Sequence, residues 1–494
     1  MNKVGFDNQL YLEKQSQNIL KRIETFHNKL YLEFGGKLFD DLHASRVLPG
    51  FDPNIKTKLL LKLKDKAEIV FCISARDIEK NKIRADFGIS YDNEVLRLVD
   101  KLRGLGLYVS SIVITLFKGQ PSAEKFANML KKRGENVYFH TYTKGYPSDV
   151  NTIVSDEGYG ANPYIVTTKP LVVVTAPGPS SGKLATCMSQ LYHEYKRGVQ
   201  AGYAKFETFP VWNLPLKHPV NLAYEAATAD LQDVNQLDPF YFETYGKLSI
   251  NYNRDIEAFP VLKNILRKIT GGTPYASPTD MGVNMVGFAI TDDAVVREAA
   301  SREIVRRYFR TECDYLKGNA TEETWNRMQF LLTESDVQPQ DVPCVAACRR
   351  LTEAKQIHVV AIELPSGEVV TGKQKDVFTA SATALLNALK TLSNIQDNED
   401  IIDEEVLQSI RSLRETISGL PGMALDMEDA LMALAVTSVR VPQARQALEA
   451  LKEISNAEAH ASYMLSSKEE MAWKKLGVHI TCEPKYFNQS LYNM

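Results

Sequence analysis

The stretch "PLVVVTAPGPSSGKLATCMSQLYHE", Pro170 to Glu194, joins three kinds of local structure. "PLVVVTA" is a short β-branched run, the pattern of a strand buried on both faces of a parallel sheet. Leu184, Ala185, Met188, Leu191, Tyr192 and, one turn on, Tyr195 form a helical stripe. Between them lies "PGPSSGK", where Gly178 and Gly182 allow backbone N–H groups to turn inward without Cβ obstruction. Lys183 opens the helix, whose N-terminal amides and positive dipole end attract anions. The spacing departs from G-x-x-x-x-G-K-[ST], since Pro177 stands at the first glycine and Leu184 at the hydroxyl position. The next hydroxyl is Thr186. Two readings stay open: a nucleotide site made by Gly178, Ser180, Ser181, Gly182, Lys183 and Thr186, or a Gly/Pro turn with a solvated lysine.

The same alternation extends outward. "EIVFCIS", "LYVSSIVITLF" and "NVYFHTY" read as strands, and "DNEVLRLVDKLRGLG" and "SAEKFANMLKKRGE" as helices. "AGYAKFETF" is the strand after the loop helix, and further helices are expected over 219–231, 254–269 and 292–309. Strands alternating with amphipathic helices predict an α/β fold with a mostly parallel sheet. "DVQPQDV", 336–342, reads as a linker. Beyond it, "IHVVAIELPSGEVVTG" is a hairpin with a Ser-Gly turn, "TASATALLNALKTL" and "QARQALEALKEISNAEAHASYML" are helices, and "KLGVHITCEP" is a last strand. The expected parts are a helical and loop segment, 1–60, packing on the main domain; an α/β domain with the phosphate loop, 61–335; and a smaller C-terminal α/β domain, 340–494.

The bulk numbers fit an ordinary soluble chain. Of 494 residues, 44% are hydrophobic and 24% charged, and the net charge of -3 argues against bulk nucleic-acid binding. No apolar run approaches the ~18–20 residues of a membrane span, and the first residues lack a secretory h-region. Six cysteines are too sparse for a disulfide framework, so a reducing cytoplasm is expected. Cys344 and Cys348 would share a helix face, but two thiols without a second pair make a poor zinc site and read as buried small hydrophobes.

Lys205 follows Lys183 by 22 residues, at the end of the next strand, in "KFETFPVWN", before "LPLKHPVNLAYEAATADLQDVNQLDPF". Over Val172–Phe240 this resembles the synthetase half of CTP synthetase and its dethiobiotin-synthetase-like relatives. That resemblance implies Lys183 as the loop lysine, Thr186 as the later hydroxyl, Lys205 as a second, catalytic lysine, and Asp230 or Asp233 as the Mg²⁺-side acid. Glu207 and Thr208 depart from the acid-Pro pattern, and neither a second acidic motif nor a glutaminase elbow is evident. The whole chain is also similar to the bacterial family labelled domain of unknown function 1846. The stretches that carry this are "LYLEFGGKLFDDLHASRVLPGF", "VVVTAPGPSSGKLATCMSQLYHE", "AGYAKFETFPVWNLPLKHPVNLAYEAATADL" and "SPTDMGVNM". It implies a bacterial cytosolic protein with an N-terminal α/β region and a distinct C-terminal domain.

Other constellations have a functional and a plain reading. Lys37, His43 and Arg46, with Asp40 and Asp41, follow Gly35-Gly36 and could grip an anion, or form a turn and a charged helix. His218 precedes a helix on which Glu225 and Asp233, eight apart, would share a face suited to Mg²⁺. Asp280 and Asn284 sit in a Gly/Pro loop, as ligand contacts or with Thr279 or Asp280 as a helix cap. Arg254 could clamp an oxyanion or form a surface ion pair. Glu458 and His460, read as helical, are two apart and share no face. Together these predict ATP-dependent phosphoryl transfer or ligation on a small anionic metabolite, with ATP or another nucleotide and Mg²⁺ as cofactors. The alternatives are a non-catalytic nucleotide or phosphometabolite sensor and a structural oligomer without ligand. A cytoplasmic homo-oligomer, engaging neither membrane nor nucleic acid, is expected.

Overall fold

A computed structural model describes residues 3–83, 88–419 and 422–487. It divides into two compact units, Val4–Thr228 with Asp233–Ala300, and Ser301–Met494 with Met1–Lys3 and Ala229–Gln232.

The first unit is built on seven strands: β1 (Leu30–Phe34), β2 (Ala67–Ser74), β3 (Val109–Thr115), β4 (Val137–Phe139), β5 (Leu171–Thr175), β6 (Gly202–Phe206) and β9 (Gly282–Val283). They lie in the order β4-β3-β2-β5-β1-β6-β9, and every pairing is parallel. A short antiparallel pair, β7 (Asn235–Leu237) and β8 (Ile250–Tyr252), stands apart from this sheet. Both faces of the sheet are covered, which is why its strands read as continuous apolar runs. Leu30, Leu32, Phe34, Ile69, Phe71 and Val173 pack on one face with Ile19, Leu59, Val99 and Leu130. Tyr31, Val70, Val172 and Val174 pack on the other with Cys187, Met188, Leu191, Phe259 and Ile265. The period of two along each strand separates these sets.

The N-terminal segment 1–60, expected to pack on the main domain, also contributes a strand to its sheet. Its "LYLEF" is β1, inserted between β5 and β6. The helix expected over 219–231 is Pro219–Ala227, and a separate 3-10 turn, Ala229–Leu231, follows it. Glu225 and Asp233 therefore share no helix face.

The second compact unit starts at Ser301, inside the helix Asp293–Leu316, so it takes in the expected 336–342 linker. The reason is packing: Leu332 and Val337 join the core made by Val305, Phe309, Val345 and Cys348. Its sheet has β10 (Val359–Glu363), β11 (Val369–Lys373), β12 (Glu458–Ala461) and β13 (His479–Cys482), in the order β11-β10-β12-β13. Only β12 and β13 pair in parallel. Cys344 and Cys348 are buried on the helix Pro343–Lys355. The reading of "NAEAHASYML" as helix is overturned: Glu458 and His460 lie on β12, where residues two apart share a face. Glu458 meets Arg306, and His460 packs on Phe309 with ring centroids 4.6 Å apart. Among the described residues no helix is long and apolar enough to cross a membrane.

Gly372 on β11 lets the helix Ala380–Leu392 approach the sheet directly, since a Cβ there would lie 2.0 Å from the Ala384 backbone nitrogen. Gly372→Val is expected to destabilise the protein by about 1–3 kcal/mol or more, read as a lower urea midpoint for the full chain.

Candidate phosphate-binding site

All seven parallel strands end at one edge of the sheet, where α/β proteins place their ligands. At that edge β5 hands over through Ala176–Gly182 to the helix Lys183–Lys196. The loop is held from below. A Cβ on Gly178 would lie 2.5 Å from the Tyr91 hydroxyl, and one on Gly182 2.9 Å from the Thr115 side chain. The Ser181 hydroxyl donates to the Gly178 carbonyl at 2.8 Å, and Thr115 donates to the Ser181 carbonyl at 2.8 Å. Ser180 and Gly182 both take the left-handed conformation, with φ of 55° and 79°. Among the described residues, the N–H groups of Ser180, Gly182, Lys183, Leu184 and Ala185 make no hydrogen bond; the Thr186 N–H is the first of the helix to donate, to the Gly182 carbonyl. Lys183 is half-buried and makes no ion pair among the described residues.

Two of the loop's expected ligand hydroxyls serve the protein instead. Ser181 is spent inside the loop. Thr186 is buried against β2, where its oxygen accepts from the Cys72 thiol at 3.5 Å. Burial pushes the Cys72 thiol up to about 12, with Thr186 and the Lys183 charge working against it.

Two strands away lies a charged cluster. Glu33 on β1 is the register partner of both Val174 on β5 and Lys205 on β6. Glu33 accepts from Tyr203 at 2.8 Å. The Lys205 ammonium is held 2.8 Å from Glu207 and in direct contact with Asp255. It also lies 5.6 Å from the centre of the Tyr252 ring. Burial opposes that charge, but Asp255, Glu207 and Glu33 overcome it and keep the ammonium well above lysine's ordinary value. Burial drives the Glu207 carboxyl up to about 7; Lys205 resists this and Asp255 adds to it. The β7–β8 pair closes the cluster. Asp233 precedes β7 and Arg254 follows β8, and the guanidinium grips the carboxylate at 2.6 and 2.8 Å. Burial raises Asp233, against the pull of Arg254.

The remaining predicted residues are dispersed. Lys37 is exposed, and the Gly36 turn beside it folds over Lys56, a buried lysine paired with Asp41 at 2.9 Å. Arg46 is half-buried in the last turn of the helix Leu42–Val47, and His43 packs its ring against Phe209 and Tyr224. His218 caps the helix Pro219–Ala227 and meets Asp293 at 2.9 Å. Asp280 closes a capping box with Ser277, and Asn284 pins the Thr208 and Pro210 carbonyls. Asp230 lies in the short segment that belongs with the second unit. Sequence reading passed over Glu33 and Asp255. The available signal was a charge in an otherwise apolar strand, Glu33 in "LYLEF", matching Lys205 in "GYAKF".

Family models for a domain of unknown function, DUF1846, match the chain twice: the N-terminal model over residues 4–336 and the C-terminal model over 340–492. The chain belongs to the DUF1846 family. It is 54% identical to a "UPF0371 protein" of Clostridium tetani over 99% of both chains. A "UPF0371 protein" of Clostridium botulinum is 53% identical over the same share. The two family models meet near residue 338, whereas the compact units part at Ser301.

In this DUF1846 chain the Glu207 carboxyl rises from the usual 4.5 to about 7 on folding. A raised folded value adds stability that is complete below the unfolded value and lost as pH climbs through the folded one. Between pH 4.5 and 7.5 the wild type is expected to lose up to about 3 kcal/mol that Glu207→Gln does not lose. Urea denaturation of both proteins across that range measures the difference.

Proposed function

We propose that the chain binds the phosphate group of a nucleotide or another small phosphorylated metabolite at Ser180–Ala185, with Lys183 as the cation. One observation supports this most: a run of backbone N–H groups that find no acceptor among the described residues, at the start of a helix and the carboxyl edge of a parallel sheet, beside Lys183, which finds no ion-pair partner among those residues. That is the chemistry that receives a phosphate.

Magnesium fits the side chains poorly. Asp233 is gripped by Arg254 and Thr186 faces Cys72, so either would have to abandon a partner to bind a cation. Lys205, with two carboxylates against it, carries no spare charge for a transferred phosphoryl group. These features favour the binding reading.

A second reading, phosphoryl transfer to a small anionic acceptor, is favoured by Glu207. A carboxyl with a value near 7 can take a proton from an acceptor at neutral pH. Thermal shifts with ATP, GTP, CTP and inorganic phosphate, each with and without Mg²⁺, test both. A ligand at 100 times its dissociation constant adds about 2.7 kcal/mol to the wild type, and Lys183→Ala is expected to lose that shift. No shift with any of these probes, or an equal one in Lys183→Ala, removes the proposal. Turnover seen by phosphorus NMR, and lost in Glu207→Gln with the shift intact, selects transfer over binding.

A further inference from the structure

Five of the six cysteines are buried, and Cys482 alone is partly open to solvent. Cys482 ends β13, the edge strand of the second unit's sheet. Its sulfur lies 3.7 Å from that of Cys313, in the last turn of the helix Asp293–Leu316. Cys313 also faces the Cys482 carbonyl, at 3.6 Å. Elsewhere on the chain, Cys344 and Cys348 sit one turn apart in a closed core, and Cys72 is committed to Thr186.

We propose that Cys313 and Cys482 are a redox-active dithiol, oxidised by a low-molecular-weight disulfide to an intramolecular cross-link. The partly open thiol reacts first. The Cys482 thiolate attacks one sulfur of the external disulfide, forms a mixed disulfide and expels the other half as a thiolate, which takes up a proton. The Cys313 thiol gives its proton to solvent, and its sulfur attacks the Cys482 sulfur. The Cys313–Cys482 bond forms, and the second half leaves as thiol. Two protein thiols become one disulfide, and one external disulfide becomes two thiols. The surroundings suit this order. The hydrogen bond from Cys313, opposed by burial and helped by Lys317, lowers the Cys482 thiol, while the same bond and burial raise Cys313. A thiolate at the more open of the two cysteines is the nucleophile that exchange requires.

The test uses the reduced full chain with excess hydroxyethyl disulfide, followed by intact-mass measurement and peptide mapping. The wild type is expected to lose two thiols, retain no mercaptoethanol and yield the Cys313 and Cys482 peptides joined, with dithiothreitol reversing the change. Cys313→Ala is expected to retain the mercaptoethanol adduct on Cys482. Cys482→Ser is expected to react about tenfold more slowly at any site, because the other thiols are buried. A lasting adduct on wild-type Cys482, or a cross-link between any other pair, overturns the proposal. The wild-type map decides the matter even if a variant fails to fold.

Discussion

The hydrogen-bonded insertion of β1 between β5 and β6 sets the spacing of every group at the carboxyl edge. Without it β5 and β6 would be neighbours, and Lys205 would lie one strand from the phosphate loop. With it, two strand spacings, roughly 9.6 Å, separate the strand that launches the loop from the strand that carries Lys205. Glu33 occupies the interval. Glu33 is half-buried near the carboxyl end of its strand; partial desolvation of a carboxylate is costly, and here the Tyr203 hydroxyl and the neighbouring Lys205 charge offset that cost.

This spacing also sets the electrostatic surroundings of the two lysines. Lys205 faces Glu207 and Asp255 directly, with Glu33 beside it, so the cluster around it is anionic. At about 10 Å and an effective dielectric of about 20, each net charge is worth about 1.7 kcal/mol. A polyanion at the loop would therefore feel the cluster as mild repulsion, and Lys183 with the free amides as attraction at contact distance. The Arg254 grip on Asp233 limits the repulsion by neutralising a further carboxylate.

Much of this was legible in the sequence because it rests on local pattern. The β-branched run before Pro177, the stripe from Leu184 to Tyr195 and the alternation from Glu68 onward encode buried strands and covering helices directly. What was not legible depends on long-range pairing. "LYLEF" is too short to announce that it enters a sheet whose other members begin at Ala67. Asp255 could not be tied to Lys205 without knowing that β8 ends beside β6. Thr186 was assigned by its distance in sequence from Lys183, yet the helix turns that side chain toward Cys72. "EAHASYML" misled for a related reason: alanines favour helices intrinsically, but pairing with β10 and β13 made a strand of them.

The loop itself carries a further indication. Ser180 holds a left-handed conformation, which costs a non-glycine residue roughly 1–2 kcal/mol. No hydrogen bond of its side chain to the described protein repays that cost. The conformation is fixed instead by its neighbours: Tyr91 fills the space over Gly178, Thr115 fills the space at Gly182, and Ser181 closes back on Gly178. Three independent contacts thus enforce a backbone shape whose visible consequence is to leave amides without partners. Strain that the surroundings over-determine is characteristic of pre-organised ligand sites. A mere connection between strand and helix could relax, through a longer or more flexible turn, to a conformation that satisfies those N–H groups. Those N–H groups stand instead at the positive end of a 14-residue helix, where an anion supplying the missing acceptors would be stabilised.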